Sequence, residues 1–223
     1  MPGDDYDAVP FDSDGVLVEP PARETQLEAV RAAFRAVGVE IENVTRQHLV
    51  DLVSGVTVER LREVATAYDL APDELWDARE RHDELSQLDA FRTGARGRYD
   101  DVAAIAELPG GRGVVSNNHH STIAFKLDFF ELRPLFDTFY GREMTVESLS
   151  LKKPNTHYID RAMADLGAAS ALYVGDSESD VVAAHRAGLE SAFVRRSHCR
   201  DVDLPVAPTY EVETLHDLPA IVG

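Results

Sequence analysis

The sequence holds a single cysteine and, among its 22 lysine and arginine residues, only three lysines: Lys126, Lys152 and Lys153. One cysteine, Cys199, excludes an internal disulfide framework and suits a reducing interior. No apolar run approaches the length of a membrane span. The opening MPGDDYDAVP lacks the basic start and apolar centre of a secretory signal. There is no internal repeat and no low-complexity tract. These absences point to a cytoplasmic protein. Positive charge is also short, and the formal net charge is −18. Nucleic acids and anionic membranes need basic patches, so neither is expected as a partner. A charge of this size suits a very salty cell interior, where screening removes self-repulsion. What is present is ordinary for a soluble globular protein: 223 residues, 44% hydrophobic and 28% charged, enough for one large domain or two smaller ones.

Short apolar, β-rich runs alternate with helical patterns. Strands are expected at Tyr6–Phe11, Gly113–Ser116, Phe136–Tyr140, Ala171–Gly175 and Ser191–Val194. Helices are expected at Val102–Leu108, Thr122–Phe130, Thr156–Leu166 and Ser179–Ala187. The alternation predicts an α/β fold, a doubly wound, Rossmann-like parallel sheet whose ligands bind at the carboxyl ends of the strands. The stretch between the first two strands carries helical periodicity instead. Leu27, Val30, Phe34 and Val37 recur at helical spacing, as do Leu61, Val64 and Tyr68, and Pro72-Asp73-Glu74 marks a helix start. An all-helical insert over 18–95 therefore interrupts a core made of 1–17 and 96–223. Pro20–Pro21 and Thr93–Gly97 are its hinges.

Four segments fall at strand ends: FDSDG with Asp12 and Asp14, VVSNN with Ser116 and Asn117, LKKPN with Lys153, and GDSESD with Asp176 and Asp180. Each alone is a turn, a helix cap or a solvated charge. In a doubly wound sheet all four face one crevice. Carboxylates gathered there repel one another unless a cation offsets them, and Mg²⁺ with oxygen ligands and retained waters suits such a site. A carboxylate is a workable nucleophile toward phosphorus, and a second carboxyl can serve as general acid and base. A serine hydroxyl and a lysine ammonium can bind equatorial phosphoryl oxygens.

In this order, Asp12-Ser13-Asp14-Gly15, Ser116-Asn117, Lys153-Pro154 and Gly175-Asp176-Ser177-Glu178-Ser179-Asp180 resemble the four-motif signature of the haloacid dehalogenase-type superfamily of phosphohydrolases. The helical insert resembles the cap domain of its phosphoglycolate phosphatase and β-phosphoglucomutase branch. The resemblance spans nearly the whole chain. It implies a Mg²⁺-dependent phosphatase acting on a small phosphorylated metabolite, phosphoglycolate being the substrate it best suggests. It implies that Asp12 becomes an aspartyl phosphate while Asp14 protonates the leaving group and activates water. Ser116 and the Asn117 amide would hold the phosphoryl group, and Lys153 would orient Asp12. Asp12, the Asp14 carbonyl and Asp176 would bind the metal, with Asp180 close by.

Three departures stand out. Pro10 removes a donor from a strand that should be central. GRYDDV replaces the Pro-Gly turn that relatives usually carry at the second hinge. His119 and His120 follow the serine motif and are expected at the exposed start of a helix. Arg46, His48 and Arg60 in the insert are candidates for substrate contact. A phosphomutase is the nearest rival, since it shares the first chemical step. A dehalogenase would need neither Asp14 nor the second acidic motif. A receiver-type phospho-aspartate switch would carry no helical insert, and an inert binding protein would not need all six side chains. Oligomeric state is not encoded in any feature of the sequence.

Overall fold

The computed structural model describes residues 6–223. The first five, part of the N-terminal stretch read for a signal, lie outside it. Six strands form one sheet: β1 Ala8–Phe11, β2 Gly111–His119, β3 Thr138–Arg142, β4 Leu172–Gly175, β5 Glu190–Val194 and β6 Tyr210–Val212. Their order is β3-β2-β1-β4-β5-β6 and every neighbouring pair is parallel. Parallel neighbours need crossovers, and helices supply them: α5 His120–Phe129, α6 His157–Leu166 and α7 Glu178–Arg186. The fold is α/β and Rossmann-like. The strands are continuous apolar runs because both faces of such a sheet are covered, and all four residues of β1 and of β4 are buried.

The expected helices α5, α6 and α7 lie within two residues of their predicted ends. Four expectations need correction. β1 begins at Ala8, two residues after the expected Tyr6. Val102–Leu108 is not α-helical: a 3₁₀ stretch runs Asp100–Glu107 and stops at Leu108, which Pro109 holds in the extended region. β3 starts two residues late, because Asp137 N–H donates to Arg112 O at 2.8 Å and the Asp137 carboxylate accepts from Arg112 N, fixing Asp137 as a corner. β2 runs on past Ser116 to His119, with a register shift between Val115 and His119. β6 has only three residues and no prediction.

Pro10 does sit in a central strand. β1 pairs β2 through four residues, but pairs β4 only at Phe11↔Val174 and through a bridge at Ala8↔Ala171. The gap falls where Pro10 lacks an amide, and the ladder resumes when Asp12 N–H donates to Val174 O at 2.8 Å. At the second hinge no Pro-Gly turn is needed. The outgoing and returning segments pair directly, with Tyr99 N–H on Leu17 O, Glu19 N–H on Gly97 O, both 3.0 Å, and Gly97 N–H on the Glu19 carboxylate at 2.8 Å.

The chain divides into two compact units. One comprises Met1–Pro20, Gly97–Arg142 and Leu151–Gly223; the other comprises Pro21–Arg96 with Glu143–Ser150. The second holds α1 Arg23–Ala36, α2 Arg46–Asp51, α3 Val58–Ala67 and α4 Pro72–Arg92. Its apolar cluster is built from the periodic residues: Val30 and Phe34 from α1, Leu61 and Val64 from α3, and Leu75 and Trp76 from α4, with Val146 and Leu149 added from the distant segment. Among the described residues no helix is long and apolar enough to cross a membrane.

Candidate active site

Asp12 stands one residue beyond β1, and Asp14 follows in a tight turn. The amides of Val16, Leu17 and Val18 all point at Ser13 O, and Gly15 N–H donates to Val18 O at 2.7 Å. Gly15 has φ +85°, and a Cβ there would lie 1.8 Å from Asp176 Oδ2. Only glycine permits both the left-handed turn and that approach. Arg196 braces the turn by donating to Val16 O at 3.0 Å while pairing with Asp101 through two contacts of 2.7 and 2.8 Å.

Lys153 is buried and joins two motifs. Its Nζ lies 2.9 Å from Asp12 Oδ1 and 2.6 Å from Asp180 Oδ1, and donates to Val115 O and Tyr173 Oη at 3.0 and 2.8 Å. Burial opposes its charge, but Asp12 and Asp180 outweigh that and hold the ammonium firmly protonated. Lys152 is only half-buried. Asn117 fixes the Lys153 backbone from both sides: its Oδ1 accepts Lys153 N–H at 2.7 Å and its Nδ2 donates to Lys153 O at 3.1 Å. Asp180 begins α7 as a first-turn acid and does more. Its Oδ2 accepts from the Asp176 and Ser177 amides and the Ser177 hydroxyl, leaving Oδ1 for Lys153. Gly175 has to be glycine here, because a Cβ would lie 2.3 Å from Asp180 Cβ.

Carboxylate oxygens of Asp12, Asp176 and Asp180 lie within 4.8 Å of one another. Burial pushes Asp12 up to about 7; Lys153 opposes this, and the neighbouring Asp180, Asp176 and Asp14 reinforce it. Asp176 is also raised, by burial first, against its 2.6 Å contact with His198 Nε2. Asp12 Oδ1 and Asp180 Oδ1 are buried without a well-directed hydrogen bond, their Lys153 contacts being ionic in character. Three hard oxygen donors short of positive charge fit a hard divalent cation. Cys199 also nears Asp176 and His198, but burial raises its thiol, whose S–H points at Val194 O.

Of the residues read from the sequence, Asp12, Lys153, Asp176 and Asp180 thus form one cluster. Ser116 is buried in β2, two residues past the Val114 that pairs with Phe11, and its Oγ accepts Asn118 N–H at 3.3 Å. Asp14 is turned to other partners: Lys126 Nζ at 2.7 Å from Oδ1 and Asn118 Nδ2 at 2.6 Å from Oδ2. His119 and His120 are not exposed. His119 ends β2 fully buried, with Nδ1 3.4 Å from Thr122 Oγ1, and the half-buried His120 ring stacks on Phe139 at 4.8 Å. The strand's extension past Ser116 carried them inward. In the insert, His48 Nδ1 contacts Tyr68 Oη at 2.8 Å and Arg60 pairs with Glu63 at 2.7 Å, while Arg46 is exposed. Sequence reading missed Lys126, Asn118, Tyr173 and His198. Lys126 alone left a signal, a lysine inside the apolar run IAFKLDFF.

Residues 9–194 match the haloacid dehalogenase-like hydrolase family, and the chain belongs to it. Pyrophosphatase PpaX of Oceanobacillus iheyensis is 27% identical over 147 residues, 64% of this chain and 66% of that protein, so the chain spans just under two thirds of this relative. Among solved structures, CbbY from Rhodobacter sphaeroides in complex with phosphate has a TM-score of 0.71 at 19% identity and 96% coverage of both chains. The hydrolase YfnB from Bacillus subtilis bound to magnesium has a TM-score of 0.62 at 17% identity, covering 98% of this chain and 99% of that one. These two likenesses concern the fold.

Proposed function

We propose that the protein is a Mg²⁺-dependent phosphatase of small organic phosphomonoesters that works through an aspartyl phosphate on Asp12. The observation that carries this reading is the buried Asp12 carboxylate facing Lys153, with Asp176 and Asp180 beside it. A carboxylate bound by an ammonium is held ready, and its other oxygen is left to attack phosphorus in line with the departing alkoxide. Asp12, Asp176, Asp180 and the Asp14 carbonyl would hold Mg²⁺, which when bound offsets charge on the phosphoryl oxygens. The Ser116 hydroxyl and Asn117 amide bind two of those oxygens. Asp14 gives a proton to the leaving oxygen as its bond to phosphorus breaks. Asp14 then takes a proton from water as the water oxygen bonds to phosphorus and Asp12 is released. The helical unit serves as the family's cap, and phosphoglycolate heads the candidate substrates.

The test is phosphate release from p-nitrophenyl phosphate and a panel of metabolite monoesters in molar KCl, with and without Mg²⁺. Mg²⁺-dependent turnover that Asp12→Asn abolishes supports the reading. A wild-type protein that moves the phosphoryl group only to a second sugar phosphate is a mutase. One that is inert on the whole panel is no phosphatase.

A further inference from the structure

Lys126 is a lysine that the four motifs leave unused. It lies on the buried face of α5 with Thr122, Ile123 and Leu127, and only 2% of it is exposed. An ammonium stays on such a face only when a partner there balances it. In a chain so poor in lysine, this one and Lys153 are both buried against carboxylates of the first motif. Lys126 Nζ lies 2.7 Å from Asp14 Oδ1 and 3.2 Å from Ser13 Oγ. Asn118 grips the opposite oxygen, with Nδ2 2.6 Å from Asp14 Oδ2, and is itself oriented because its Oδ1 accepts His119 N–H at 2.8 Å. The grip therefore comes from two elements, the end of β2 and the middle of α5.

We propose that Lys126 and Asn118 are positioning residues that fix the Asp14 carboxylate for proton transfer to the leaving group. This rests on the phosphatase reading above, in which Asp14 carries that proton. A short aspartate at a turn has several rotamers, and proton transfer needs a donor within about 3 Å of the leaving oxygen. A donor on each oxygen removes that freedom. Neither Lys126 nor Asn118 exchanges a proton with substrate.

The leaving group separates positioning from general damage. Nitrophenolate departs without a proton, whereas an alkoxide needs one. Lys126→Met keeps the length of the side chain and removes its donors. In rapid-mixing experiments its rate of leaving-group release in the first turnover, which precedes the hydrolysis of phosphorylated Asp12 that both substrates share, should fall about 100-fold on the alkyl monoester turned over fastest in the panel, and by no more than about threefold on p-nitrophenyl phosphate. Asn118→Ala should show the same asymmetry more weakly, and it carries the test if Lys126→Met does not fold. Equal losses on both substrates, or none on either, overturn the proposal. Crystal structures of wild type and variant give a readout that needs no turnover. Asp14 is expected to adopt a new rotamer or several in the variant, and an unmoved Asp14 overturns the grip. A wild-type protein without activity defeats the phosphatase reading, and the crystals still decide on the grip.

Discussion

Asp12 shows how burial and charge set one residue's behaviour. Folding raises its pKa from 3.8 to about 7, so between those values the native state binds the extra proton. The native state is then favoured at low pH, and this contribution is lost as pH rises toward about 7. Metal-free wild type should lose stability through this group as pH rises across that window, and Asp12→Asn should remove the loss. Denaturation midpoints of the two proteins from about pH 5 to about pH 8 measure it. Parallel curves would contradict it. Lys153→Met leaves Asp12 and Asp180 buried together without their shared cation, and should destabilise by about 3–5 kcal/mol in denaturant titrations. A loss below about 1 kcal/mol would mean that the two carboxylates relax elsewhere.

At the scale of elements, the turn between β1 and the outgoing segment determines where the acids meet. Gly15→Ala places a methyl on Asp176 at a positive φ, so the turn or Asp176 must move. The variant is expected to fold with at least about a tenfold weaker Mg²⁺ affinity, read by calorimetry, because one ligand is displaced. Unchanged affinity would show that Asp176 does not hold the metal. This is also where the sequence was most legible. Asp12 and Asp176 follow β1 and β4 because apolar runs stop there, and a doubly wound parallel sheet gathers such ends at one edge, while Lys153 arrives from the segment between β3 and α6. Asp12, Lys153, Asp176 and Asp180 meet as that logic requires. The residues that were not legible reach the site from within elements or from loops. Lys126 sits mid-helix, His198 lies in the loop after β5, and Glu143–Ser150 joins the helical unit with Val146 and Leu149 in its apolar cluster. Periodicity reports which face is buried and says nothing of what lies opposite it. The buried His119 was misjudged for a related reason, since a strand that bulges and continues resembles a helix start in sequence.

At the scale of the molecule, the charge of −18 is the dominant feature. Like charges spread over one surface repel within a screening length, which shrinks from about 10 Å at 0.1 M salt to about 3 Å at 1 M. We propose that the protein is adapted to high salt, and its thermal midpoint should climb steadily as KCl is raised over that range. A flat or falling midpoint would assign the acidity to something other than salt adaptation.

The covalent intermediate decides the central claim. Protein mixed with substrate and Mg²⁺, quenched in acid within one turnover and digested, would be weighed by mass spectrometry. One phosphoryl group is expected on the peptide that holds Asp12 and Asp14, mapped by fragmentation to Asp12 and absent from Asp12→Asn. Brisk turnover with no phosphorylated peptide, or with the group on Asp14, would contradict it.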